Sequence, residues 1–105
     1  MNILIVGRQV TTNLNTYIDL IGIDREGNTA IIELKRGSTP RETLAQALEY
    51  ASFVQELGYE ELDQMMKQYT EEDGAALSEY HREYFKLSED ESVAFNKEQR
   101  IFIVG

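Results

Sequence analysis

The chain has 105 residues, enough for one domain and a modest core, and 42% hydrophobic against 28% charged residues is ordinary globular composition. It has no cysteine and one histidine, which excludes a disulfide scaffold, a thiol nucleophile, cysteine-ligated metal and a multi-histidine site. The formal net charge of −9, taken whole, argues against a nucleic-acid binder, because phosphates repel an acidic surface. The charge is uneven: residues 1–50 carry five basic and six acidic side chains, residues 51–105 five basic and thirteen acidic. The first half is therefore a candidate phosphate-facing surface and the second an acidic, solvated flank. The apolar runs are too short for a membrane span, and the N-terminus has no basic region ahead of a long apolar run. A soluble, cytoplasmic location is expected by elimination.

In chain order, Ile3-Leu4-Ile5-Val6 predicts a strand entered almost at once. Tyr17–Asp24 and Thr29–Lys35 predict two strands joined through Asp24-Arg25-Glu26-Gly27-Asn28, a type I turn with Gly27 in the left-handed position. Thr39-Pro40-Arg41-Glu42 reads as a capping box with proline at the first helical position. It opens a helix over about 40–57 with Leu44, Ala47, Leu48, Ala51 and Val54 as its apolar stripe and Gly58 as its end. Residues 59–70 and 75–86 predict two more helices, 88–99 a polar loop and 101–104 a last strand. The order implies a mixed sheet with helices packed on it. Tyr80, Tyr84 and Phe85 are expected in the core, with an interdomain or dimer surface as the alternative. Met65 and Met66 are expected as core filling, and His81, among Glu79, Arg82 and Glu83, at the surface.

Two carboxylates interrupt the apolar stripes of the hairpin. Asp19 shares a face with Tyr17, Ile21 and Ile23; Glu33 shares one with Ile31 and Lys35. If Asp24 faces Asn28 across the turn, Asp19 falls opposite Glu33, and Tyr17 opposite Lys35. Opposed residues have Cβ atoms roughly 4.5–5.5 Å apart, where like charges destabilise. A hard divalent cation held by both carboxylates reverses that penalty and suits magnesium or manganese. Lys35 then projects beside them, able to hold a water or a phosphate oxygen. The pattern D-x13-E-x-K reads as a metal-assisted phosphodiester hydrolysis site.

The stretch IDLIGIDREGNTAIIELKRGSTPRETLAQALEY resembles the PD-(D/E)XK nuclease superfamily, and within it the C-terminal catalytic domain of the NucS (EndoMS) DNA endonucleases. Asp19 and Glu33-Leu34-Lys35 match the superfamily motif; Gln46 and Tyr50 match the glutamine and tyrosine that the NucS-like branch carries on the next helix. The match covers roughly residues 3–57, and less securely the last strand. It implies an α/β, restriction-endonuclease-like core: a mixed sheet from a three-stranded antiparallel meander plus a crossover strand, flanked by helices. The superfamily core begins with a helix, whereas this chain starts in the first strand. The expectation is thus a single domain over 1–105 that lacks that helix and is a fragment of a longer chain.

The resemblance also implies roles. Asp19, Glu33 and the carbonyl of Leu34 would bind Mg2+ or Mn2+; Lys35 would orient or activate the attacking water; Gln46 would contact the active site or the nearby phosphate, supported by Tyr50. Arg36 and Arg41 are phosphate-contact candidates from position and charge. The expected function is a metal-dependent DNA endonuclease domain, with DNA as partner, no membrane, and a second copy or another domain of the full-length protein as further partner. The alternative is a nuclease-fold module that binds or builds without turnover.

Overall fold

A computed structural model describes residues 2–105. The elements are β1 (Leu4–Thr11), β2 (Tyr17–Ile23), β3 (Thr29–Leu34), α1 (Pro40–Val54), α2 (Tyr59–Thr70), α3 (Leu77–Phe85) and β4 (Gln99–Val104). The four strands form one mixed sheet in the order β1-β2-β3-β4. β1, β2 and β3 are an antiparallel meander, and β4 returns through the three helices to lie parallel to β3. A parallel neighbour requires such a crossover, because a tight turn can only reverse the chain. The architecture is a mixed α/β fold with a four-stranded sheet flanked by three helices.

The β2–β3 turn forms as its sequence predicts. Asp24 N–H donates to Asn28 O at 2.9 Å and Gly27 N–H to Asp24 O at 3.0 Å, with Gly27 at φ 92°. The Asp24 carboxylate accepts from the N–H groups of Glu26 and Asn28. That turn sets the register Ile23↔Thr29 through Leu20↔Ile32, which directs Asp19 toward Glu33.

α1 starts on its capping box: Thr39 Oγ1 accepts from Glu42 N–H, and the Glu42 carboxylate accepts from Thr39 N–H. Its buried stripe is Thr43, Ala47, Tyr50 and Val54, whereas Leu44 and Leu48 are exposed, a correction to the expected face. Thr43 can enter because its hydroxyl is bonded, to Ser38 Oγ and Thr39 O. The small side chain of Ala47 lets α1 approach closely, and that rotation turns Tyr50 inward. The helix stops at Val54; Gly58 caps the start of α2 instead of ending α1, its N–H held by the Glu61 carboxylate.

The core gathers Leu4 and Val6 of β1, Ile18, Ile21 and Ile23 of β2, and Ile31 of β3. Tyr50, Val54, Leu62, Met66 and Leu77 from the helices close it. α2 lies so close over β1 that a Cβ on Gly7 would stand 2.8 Å from Met65 Sδ, which explains the glycine there. His81 is buried at 1% exposure, not at the surface. Its charged sequence neighbours sit on the outer face of α3, while its ring packs on Phe85 and Phe95 and its Nε2 lies 2.7 Å from Asp24 O. Phe85 and Tyr80 pack against the core, but Tyr84 is 46% exposed. Within the 88–98 loop, Asn96 donates through Nδ2 to the carbonyls of Val54 and Leu57 and accepts from Thr29 Oγ1. It thereby closes the end of α1 onto the sheet. No helix is long and apolar enough to cross a membrane among the described residues.

Candidate functional site

At their Tyr17/Leu34 ends β2 and β3 part, and the two carboxylates fill the gap left by the ladder. Asp19 N–H donates to Glu33 Oε1 at 3.1 Å, and Leu34 N–H donates to Asp19 Oδ2 at 2.9 Å. Each acid therefore satisfies the backbone of the opposite strand. This reciprocal bonding holds both side chains in register. Glu33 is 4% exposed, and the Asp19 side chain 13%.

They form the floor of an open cleft of about 470 Å3, walled by Gln9, Arg36, Gln46 and Tyr50. Gln9 Nε2 and Arg36 Nη1 approach Asp19 Oδ1 at 3.4 and 3.5 Å. Burial raises the Glu33 carboxyl from 4.5 to about 7; the adjacent Asp19 carboxylate pushes the same way, while Asp19 N–H and Arg36 oppose it. The raised value makes Glu33 more readily protonated than an ordinary glutamate near neutral pH. Tyr50 is also raised, by burial first, with a Thr16 hydrogen bond opposing and the nearby carboxylates adding to it, so its hydroxyl stays neutral.

The structure brings Asp19, Glu33, Leu34, Arg36, Gln46 and Tyr50 to one cleft. Lys35 and Arg41 are not among the residues lining it. The Lys35 N–H is tied to Val104 O at 2.7 Å, and its exposed side chain runs beside Gly105. Arg41 is exposed in the first turn of α1. The cation that reaches Asp19 is Arg36, at 3.5 Å. The sequence reading missed Gln9. The signal was present in the meander: Arg8↔Leu20 and Val10↔Ile18 flank it, so it lies beside Asp19 on the neighbouring strand. What pattern could not show is its backbone, at φ 51°, a left-handed conformation uncommon for a non-glycine residue and rare inside a strand.

Two adjacent carboxylates with no basic side chain between them, one of them with a raised pKa, are a donor set suited to a hard divalent cation, which would compete with protons for it. Among the described residues no group of three or more His, Cys, Asp or Glu side chains gathers. The protein would supply two carboxylates and a backbone carbonyl, leaving water and substrate oxygens to complete a magnesium shell.

Comparison with protein-family models, curated proteins and solved structures finds no match. The fold and the geometry of this cleft are therefore the basis for assigning function.

Proposed function

We propose that the chain is a restriction-endonuclease-like domain and a metal-dependent DNA endonuclease, hydrolysing a phosphodiester bond with a metal-activated water. One observation carries the reading: Asp19 and Glu33 lie against each other in an open cleft, with Glu33 held near pKa 7. Backbone N–H groups hold both acids in place, but no basic side chain lies between them, since Arg36 reaches only Asp19, at 3.5 Å, and a divalent cation would relieve the remaining like-charge repulsion. The resemblance of Asp19, Glu33-Leu34-Lys35, Gln46 and Tyr50 to the PD-(D/E)XK motif supports the same reading.

Asp19, Glu33 and the Leu34 carbonyl would hold the Mg2+ or Mn2+. Bound there, the ion would lower the pKa of a water and polarise the phosphoryl oxygen. Arg36 holds positive charge at the mouth of the cleft, where a phosphate would arrive. Gln46 offers an amide to a phosphate oxygen or the attacking water, and the buried hydroxyl of Tyr50 fixes the inner wall. Lys35 is assigned to the water; that role requires its exposed side chain to leave Gly105 for the cleft. Attack on phosphorus breaks one P–O ester bond, leaving a phosphate monoester on one fragment and a hydroxyl on the other. Of the net charge of −9 only −1 falls in residues 1–50, so phosphate contact is least opposed there, where Arg36 and Arg41 lie.

The test is cleavage of plasmid and branched DNA with Mg2+ or Mn2+, by the wild type and by Glu33→Gln, Lys35→Ala and Arg36→Ala. Wild-type cleavage that vanishes in Glu33→Gln is expected. Lys35→Ala should lower the single-turnover rate by roughly 10²–10³. Arg36→Ala should weaken DNA binding and flatten its salt dependence with less effect on the saturated rate. DNA binding without any cleavage by the wild type would favour the non-catalytic module.

A further inference from the structure

A second cleft, of about 710 Å3, opens between β1 and α2. Gln9 lines both clefts, so its left-handed residue forms the wall that they share. Beyond Gln9 the second cleft presents Arg8 from β1, and Gln64, Gln68 and Tyr69 from α2. Tyr69 is 44% exposed, and Gln64 and Gln68 lie one helical turn apart with their amides in solvent. Neither amide has a hydrogen-bond partner among the described residues.

This lining differs in kind from a phosphate track. It holds a single cation, and Glu60 and Glu61 line the same cleft, where they repel phosphates. A partly exposed tyrosine in one cleft with two exposed glutamine amides instead suits a nucleobase, whose ring stacks while its edge exchanges hydrogen bonds. The volume falls within the range of roughly 300–1,000 Å3 typical of small-ligand sites. Arg8 stands next to Gln9 in the chain, placed for the phosphate that links such a base to the one at the carboxylates.

We infer that the β1–α2 cleft is a nucleobase subsite, which takes one unstacked base of the strand whose phosphate lies at Asp19 and Glu33, stacked on Tyr69 and hydrogen-bonded by Gln64 and Gln68. The inference rests on the nucleic-acid reading of the carboxylate cleft and adds to it a site for a base. It gives α2 a part in substrate binding although that helix lies in the acidic half of the chain.

The experiment is a heteronuclear NMR titration of the whole chain, with Ca2+ in place of Mg2+ or Mn2+ so that a cation can sit at the carboxylates while cleavage is suppressed. One probe is a 5′-phosphorylated trinucleotide of deoxyribonucleotides; the other is the same molecule with an abasic central position. The expected result is that the side-chain amides of Gln64 and Gln68 and the backbone of Arg8 and Gln9 shift with the first probe, and shift much less with the second. Tyr69→Ala should weaken the first probe's affinity by roughly 5- to 100-fold, and Tyr69→Phe should preserve it. Since Tyr69 is exposed, both variants should melt close to the wild type. Shifts confined to Arg36, Ser38 and Gln46, equal for both probes, would overturn the subsite and leave the cleavage reading standing. Base-dependent shifts at α2 in a protein that never cleaves DNA with Mg2+ would support the subsite and defeat the cleavage reading. No shift at the β1–α2 lining with either probe would overturn the inference.

Discussion

Two buried acids, Glu33 on β3 and Asp63 on α2, have similar exposure, 4% and 7%, and opposite electrostatics. Asp63 has its own cation: Lys67 Nζ lies 3.0 Å away, one helical turn on, and Leu77 N–H donates to Asp63 at 2.8 Å. Burial raises its pKa, but Lys67 and the Leu77 N–H outweigh that and leave it lowered. Glu33 has Asp19 where Asp63 has a lysine, and its pKa goes up to about 7. Burial alone therefore does not mark a functional carboxylate. The neighbour decides: Asp63 is a charged tie between α2 and the start of α3, with a lysine beside it, whereas Glu33 accepts the Asp19 N–H and faces a second carboxylate, the arrangement on which the proposed cation site rests.

The sharpest way to break the comparison is to neutralise each acid. Glu33→Gln should reduce metal-dependent cleavage by at least about 10²–10³-fold, while Asp63→Asn should leave the rate within a few-fold of the wild type, read in single-turnover assays at a temperature where both are folded. Stability should respond in the reverse order. Asp63→Ala removes a charge-assisted hydrogen bond to Leu77 N–H and should cost about 1.5–3 kcal/mol in urea unfolding, whereas Glu33→Gln should be nearly neutral or stabilising at pH 8 without metal. A cleavage loss in Asp63→Asn as deep as in Glu33→Gln would show that the two acids do not differ in role.

The next effect is in pH dependence, with opposite signs for the two groups. Glu33 is raised on folding, so its contribution is complete below the unfolded value of about 4.5 and fades as pH rises through about 7. Without metal the protein should lose stability across that window, on the order of 1–2 kcal/mol once solvent screening is allowed for, and Glu33→Gln should lose less. Asp63 is lowered on folding, so its contribution is complete above the unfolded value of 3.8 and is lost as pH falls through the folded value. Asp63→Asn should flatten only that acid limb. Urea midpoints from pH 3 to 8.5 for the three proteins check both signs.

The smallest effect is the response to metal. A cation that binds only the folded site at free concentration c stabilises by RT ln(1 + c/Kd), about 0.4 kcal/mol at a concentration equal to its Kd. Mg2+ or Mn2+ should raise the melting temperature of the wild type and of Asp63→Asn alike, more at pH 8 than at pH 6 because the ion competes with the proton on Glu33. Asp19→Asn should lose the shift. Equal shifts in Asp19→Asn and the wild type would place the ion on the acidic second half.

Local chemistry settled much of this protein before any packing. The Asp24–Asn28 turn needs its glycine at Gly27 and an aspartate to accept two N–H groups, and it alone fixes a register that aims Asp19 at Glu33. Thr39, Pro40 and Glu42 fix the start of α1 by the same kind of short-range bonding. Tertiary structure decided whatever depended on contacts far along the chain. The rotation of α1 that buries Thr43 and Tyr50 and exposes Leu44 and Leu48 follows from how closely the helix meets the sheet, and periodicity tolerates either face. The burial of His81 depends on Asp24 O and Phe95, both distant in sequence. The place of Lys35 beside Gly105, and of Arg36 at the carboxylates, depends on where β4 ends against β3. The backbone of Gln9, which joins the two clefts, is set by the packing of β1 between β2 and α2 and leaves no trace in composition or spacing.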